Sequence, residues 1–97
     1  MSEYVSATYG SPSGLTERER MLLIRLAVKS LADNFGETEE TAAAALDVAA
    51  DRGMVRIVGD QRRVRVTWTQ DSGTTVLVDA ERVALRQVAH PLGQLDN

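Results

Sequence analysis

The sequence predicts a single small α+β domain in the order α-α-β-β-β-α, in which a hairpin sheet packs against the helices. Three observations predict this fold class. Apolar residues recur at helical spacing as far as Gly53, they alternate with polar residues beyond it, and 97 residues suffice for one core. We expect the domain to span residues 15–91, between a flexible N-terminal tail of residues 1–14 and a C-terminal tail of residues 92–97.

Two helices are predicted before Gly53. Thr16 and Glu19 have the spacing of a capping box, so the first helix should begin there and end at Gly36. The second helix should run from Thr38 to Arg52, with acidic residues in its first turn, where the helix dipole favours negative charge. Its apolar side should consist largely of Ala42, Ala45, Leu46 and Ala49.

Three strands are predicted after Gly53. Two of them form a hairpin around Gly59 and Asp60, and the third covers 74–79. The pattern leaves open whether Val55 and Ile57 or their neighbours Met54 and Val58 face the interior. The predicted core consists of Leu23, Ala27, Leu31, Phe35, Leu46, Ala49, Ile57, Val64, Val66, Trp68, Val76 and Val78.

The segment 80–90 permits either a helix or a strand. As a helix it would be capped by Asp79 and ended by Pro91. The face shared by its apolar residues would then contain Ala80, Val83, Ala84 and Val88.

Positive charge is concentrated in the hairpin. Five arginines and one aspartate lie between Arg52 and Thr69, although the net charge of the whole chain is -3. Alternate strand residues face one side, so we expect several of these arginines on the outer face of the hairpin, where they could bind phosphates or carboxylates. The candidate residues for binding a partner or a nucleic acid are Arg52, Arg56, Arg62, Arg63 and Arg65.

No pattern typical of catalysis is present. The chain has no cysteine and a single histidine, His90, whereas a zinc site needs several such ligands. The carboxylate pair Glu17 and Glu19 and the pair Glu39 and Glu40 lie at predicted helix N-termini, where capping and the dipole account for them. We therefore expect a non-enzymatic protein with no cofactor, no metal and no small-molecule substrate.

No apolar run is long enough to span a membrane, and the N-terminus lacks the layout of a secretory signal. We therefore expect a cytoplasmic protein with no membrane partner.

The stretch "ETAAAALDVAADRGMVRIVGDQRRVRVTW" places a helix that ends at a glycine directly before a two-stranded hairpin. This layout resembles a winged-helix domain over about residues 38–69. The resemblance implies that the helix from Thr38 to Arg52 takes the recognition position and that the wing lies around Gly59 to Arg63. The sequence departs from the family because "NFGE" leaves no room for the short helix that usually precedes the recognition helix. The predicted recognition helix is also acidic, and phosphates repel carboxylates.

Three interpretations of function remain. The first, which we favour, is a small module that binds a protein partner or a second copy of itself, as a homodimer, through the acidic helix and the basic hairpin. The second is a transcriptional regulator that contacts nucleic-acid phosphates through the hairpin, with help from Arg18, Arg20 and Arg25. In the third, the hairpin arginines are solvated or are paired with the acidic helix of the same chain.

Overall fold

The computed structural model describes Pro12 and residues 14–91, so the predicted tails lie outside the described residues except for Pro12 and Gly14. The predicted α+β order is confirmed. The elements are α1 (Glu17–Phe35), α2 (Glu39–Asp51), β1 (Val55–Gly59), β2 (Arg63–Gln70), β3 (Gly73–Glu81) and α3 (Arg82–Ala89). None of the helices in this part of the chain has the length and apolar content needed to cross a membrane.

The capping box predicted for α1 is present. The Thr16 hydroxyl accepts a hydrogen bond from the Glu19 amide at 3.1 Å, and the Glu19 carboxylate accepts one from the Thr16 amide at 3.0 Å. The helix ends at Gly36, whose φ of 65° places it in the left-handed region that favours glycine. The line of Leu23, Ala27 and Leu31 is buried against the sheet and α2, as the helical spacing predicts.

The second helix begins at Thr38, whose hydroxyl accepts from the Thr41 amide at 3.1 Å, and its C-cap is Arg52. Three residues, Gly36 to Thr38, separate the two helices, and no short helix lies between them. The predicted apolar side is confirmed for Ala42, Leu46 and Ala49 but not for Ala45, which is exposed. The helix is rotated so that Ala50, rather than Ala45, completes its buried side.

The three strands form one antiparallel sheet in the order β1-β2-β3. Val55 pairs with Trp68 and Ile57 pairs with Val66, and both β1 residues are buried, which decides between the two alternatives for this strand. The hairpin turn is held by Asp60, whose carboxylate accepts from the amides of Arg62 at 2.8 Å and Arg63 at 3.0 Å.

A β-bulge in β3 changes which residues face the core. Val66 pairs with Val78, but the next residue of β2, Thr67, pairs with Val76, so Leu77 is an extra residue without a partner in β2. The bulge turns Leu77 inward and leaves Val76 50% exposed. The prediction that Val76 belongs to the core is therefore wrong. Val78 is partly buried against the core.

The prediction for Phe35 is also wrong, since the side chain is 70% exposed. Phe35 occupies the last turn of α1, beyond the buried residues Leu31 and Ala32. The helix therefore extends past the core, and its final aromatic residue is largely exposed. Trp68 is partly buried and packs against the core.

The segment 80–90 contains both structures that the sequence permits. Ala80 and Glu81 complete β3, and the helix begins at Arg82. Asp79 is a strand residue rather than the helix cap, and Glu81 at the cap position makes no side-chain capping bond. The predicted apolar face is wrong, because Leu85 is the buried residue of α3 while Val83 and Val88 are each 66% exposed.

The end of α3 contacts Glu19, which is only 4% exposed. The Glu19 carboxylate lies 3.3 Å from Nε2 of His90 and 3.8 Å from Nε of Arg86. His90 Nε2 also lies 3.0 Å from the Thr16 hydroxyl. These contacts join the start of α1 to the end of α3, and Leu85 packs in the apolar core.

Candidate functional site

A concave apolar surface lies where the end of α1, one side of α2 and one end of the sheet meet. Trp68 is at its centre and lines three adjoining cavities of about 270, 70 and 490 Å³. We call this combined surface the Trp68 groove. Its lining residues are Leu31, Phe35, Glu37, Thr41, Ala42, Ala44, Ala45, Val48, Ala49, Arg52, Met54, Trp68, Gln70, Thr75 and Leu77.

One wall of the groove is a second stripe on α2, distinct from the side that packs into the core. Thr41, Ala45, Val48 and Arg52 follow one another at intervals of three or four residues, so they lie along one side of the helix. Val48 is 51% exposed, and Ala45 is also exposed. The helix therefore has two partly apolar sides, of which only one is covered by the chain itself.

The other wall is formed by the sheet and the end of α1. Trp68 lies on the inner face of β2, between its ladder partners Val55 and Thr75. Phe35 stands at the end of α1 and lines two of the cavities with Trp68. The groove is thus lined by one aromatic residue from a strand and one from a helix, both outside the fully buried core.

The Trp68 indole carries a buried donor. Its Nε1 has no hydrogen-bond partner among the described residues. Leaving a buried donor unpaired costs about 1–3 kcal/mol, so the ring is held by packing alone. The polar edge of the indole makes no stabilising hydrogen bond to a described residue, whereas the faces of the ring can make apolar contacts.

The structure does not bring the five candidate arginines onto one surface. Arg52 caps α2 and borders the Trp68 groove, whereas Arg62 lies in the turn at the far end of the hairpin. Arg56, Arg63 and Arg65 alternate with buried residues along β1 and β2 and are exposed on the outer face, as the alternation predicts.

Two of the outer arginines are paired with the neighbouring strand. Nε of Arg63 lies 3.0 Å from the Asp79 carboxylate, and Nε of Arg65 lies 3.4 Å from its other oxygen. Glu81 lies 3.9 Å from Arg63. These ion pairs are made with β3, whereas the sequence suggested the acidic helix as the internal partner. Exposed pairs add about 0–1 kcal/mol each, but they reduce the positive potential of the hairpin.

Among the described residues, three of the five candidate arginines form no ion pair, and one of these, Arg62, lies beside Asp60. Arg52 and Arg56 form no ion pair with any residue in the described part of the chain. At the hairpin tip, hydrogen bonds from the amides of Arg63 and Arg62 hold the pKa of the Asp60 carboxyl below its ordinary value. This carboxylate therefore stays charged beside Arg62 and lowers the potential there as well.

The contacts of Thr16 and Glu19 with His90, near the start of α1, differ from those of a catalytic triad. Both the Thr16 hydroxyl and the Glu19 carboxylate approach the same nitrogen of His90, Nε2. In a nucleophile–base–acid arrangement the acid would contact the other ring nitrogen. Within Pro12 and residues 14–91, no group of three His, Asp or Glu side chains is placed to hold a metal ion.

The sequence reasoning missed the groove because its parts are distant in the chain. Ala45 and Val48 were available as a signal, since they extend the apolar positions of α2 beyond what one buried face requires. The sequence predicts both Phe35 and Trp68 as core residues, and their aromatic character does not indicate that they line a concave surface.

No family model matches the chain, and no curated protein matches it. Among solved structures, the chain is similar to one described as "Crystal structure of a bacterial toxin from Mycobacterium tuberculosis". The TM-score is 0.68 and the sequences are 31% identical, over 77% of this chain and 96% of that chain. The similarity therefore covers almost the whole mycobacterial domain, in sequence as well as in fold. The chain belongs to the same protein family as this mycobacterial toxin.

Proposed function

We propose that this protein is a small, non-catalytic toxin module that acts by binding another protein in the Trp68 groove. Membership of the mycobacterial protein's family supports the toxin assignment. The observation that carries the binding assignment is the continuous apolar surface around Trp68, which includes Val48 at 51% and Phe35 at 70% exposure. Contiguous exposed apolar surfaces with aromatic residues are typical of protein interaction sites.

The acidic helix contributes more to the proposed binding surface than the basic hairpin does. The acidic helix α2 forms a wall of the groove, with Glu37 and Arg52 at its two ends. The hairpin contributes less, because Arg63 and Arg65 are opposed by Asp79. A second copy of the chain, which would make a homodimer, is the alternative occupant.

The test is growth of a bacterial host that expresses the full chain under inducible control. Wild-type protein should arrest growth, and Val48→Glu should abolish the arrest because it places a charge in the middle of the groove. Val83→Glu is the matched control, since Val83 is also an exposed helical valine, 66% exposed on α3 against 51% for Val48. Circular dichroism of both purified variants checks that they fold. Growth arrest by Val48→Glu equal to that of the wild type would contradict the proposal.

A second candidate function is binding to nucleic acid, in line with the winged-helix resemblance. It is supported by the exposed guanidinium groups of Arg52 and Arg56, which have no ion-pair partner in the described part of the chain. Fluorescence anisotropy of a labelled duplex at two salt concentrations tests it. Binding that weakens steeply with salt and is lost in Arg52→Ala with Arg56→Ala would favour this function over the first. Binding that persists in the double variant would contradict it.

A further inference from the structure

The Trp68 groove lies where the helical layer over the sheet is incomplete. α1 packs against β2 and β3 and ends at Phe35, and the side chains of Trp68 and Thr75 line the cavity beside its end. Sheets in small domains are stabilised when a helix covers their apolar face. A helix supplied from outside would complete this layer and cover Trp68, Phe35 and Val48 together.

The length of the α2 wall also fits a helix. The stripe from Thr41 to Arg52 on α2 is about 16 Å long, which corresponds to about three helical turns. The small side chains of Ala44 and Ala45 lie along it and permit close approach of a second helix axis. Amphipathic helices bind such grooves through apolar residues spaced three or four positions apart.

The acidic residues around the groove favour a partner with positive charge. Residues 37–52 contain five carboxylates and one arginine. Glu37 lines the groove, and the exposed Glu40 directly precedes the groove-lining Thr41 and lies one helical turn before the groove-lining Ala44. Neither of these two side chains forms an ion pair with a described residue. The sheet wall, with Met54, Trp68 and Thr75, carries no charge that would oppose them.

We infer that the Trp68 groove binds a basic amphipathic helix, with an apolar stripe that covers Trp68 and Lys or Arg side chains that reach Glu37 and Glu40. This inference rests on the proposed function, because the helix would belong to the protein partner. Apolar burial provides the affinity, and the unpaired carboxylates select a cationic over an anionic partner.

The test uses two synthetic helical peptides without tryptophan that share one leucine and alanine face. Lysine occupies the polar face of the first and glutamate that of the second. Trp68 is the only tryptophan of the chain, so its fluorescence reports occupation of the groove directly. The lysine peptide should shift the emission of the full-length protein and bind about tenfold more tightly than the glutamate peptide, and the preference should decrease with salt.

Two variants locate the interaction. Glu37→Gln with Glu40→Gln should remove most of the preference for lysine while leaving the apolar contact intact. Ala45→Gln should block the groove, whereas Ala84→Gln, at an exposed alanine of α3, should bind like the wild type. Equal affinity for both peptides, or unchanged binding in Ala45→Gln, would overturn the inference.

A second copy of the chain as the occupant would give a different result. Light scattering would then report twice the chain mass, and Val48→Glu would restore the monomer. Neither peptide would bind the dimer, and this result would also overturn the inference. The growth assay distinguishes a failure of the basic-helix inference from a failure of the proposed function. Groove-dependent arrest without peptide preference leaves the proposed function standing and removes only the basic helix. Peptide preference without groove-dependent arrest removes the proposed function.

Discussion

Truncation of Trp68 tests the packing that forms the groove. The side chain lies on the inner face of β2, opposite Val55 and Thr75, and it shares two cavities with Leu31. A tryptophan buries about 150–250 Å², which corresponds to about 4–6 kcal/mol at 25 cal/mol per Å². Because the ring is only partly buried and its N–H is unpaired, we expect Trp68→Ala to cost about 2–4 kcal/mol.

Trp68→Phe separates the two contributions. Phenylalanine keeps an aromatic ring against Val55 and Leu31 and removes the unpaired donor, so we expect a cost of about 1 kcal/mol or less. In a domain of this size 1 kcal/mol changes the melting temperature by about 4–8 °C. Trp68→Ala should therefore melt at least about 8 °C below the wild type, and Trp68→Phe within about 8 °C of it.

Thermal unfolding followed by far-ultraviolet circular dichroism measures both variants without depending on the lost fluorophore. An unchanged melting temperature for Trp68→Ala would refute the inward orientation of this strand position. A Trp68→Phe variant as unstable as Trp68→Ala would refute the conclusion that the indole N–H lacks an acceptor.

Two further predictions concern the hairpin turn. Gly59→Ala should destabilise the domain by about 1–3 kcal/mol, because an added Cβ would collide with the Arg63 carbonyl and come within 2.8 Å of Val64 Cα, in the backbone of the paired strand. Chemical denaturation should show a larger loss of unfolding free energy for Gly59→Ala than for Gly53→Ala, because the space around Gly53, which has a φ of +74°, is open. Equal losses of unfolding free energy would contradict the predicted collision. Hydrogen bonds from the amides of Arg63 and Arg62 lower the folded-state pKa of Asp60. The ionised carboxylate therefore stabilises the folded state above about pH 4, and this stabilisation is lost as the pH falls through the folded-state pKa. The difference in melting temperature between wild type and Asp60→Asn should therefore narrow as the solution is acidified, and a constant difference would count against this turn.

The helices and the hairpin could be predicted because their signals are local. The capping box of Thr16 and Glu19, the stop at Gly36 and the change of period after Gly53 each involve residues close together in the chain. Burial of Val64 and Val66 follows from simple alternation within β2. Such features depend on backbone geometry and on neighbouring side chains, which the sequence displays directly.

The errors have a different origin. The extra residue Leu77 reverses the alternation in β3, and its neighbours Val76 and Val78 give no local sign of a bulge. The side of α3 that is buried depends on distant parts of the chain, since Leu85 packs in the common core and the end of the helix contacts Glu19, more than sixty positions earlier. The Trp68 groove is formed by α1, α2 and β2 together. A concave surface between three elements depends on their relative placement, which periodicity does not encode.

The contacts between Thr16, Glu19 and His90 bring the two ends of the described domain together. Both ends therefore lie near the start of α1, whereas the groove lies near its end, about 28 Å away along the 19-residue helix. Adjacent ends of this kind allow a domain to be inserted into another protein or to be circularly permuted. A label attached beside Thr16 or beside His90 would therefore lie about one helix length from the groove.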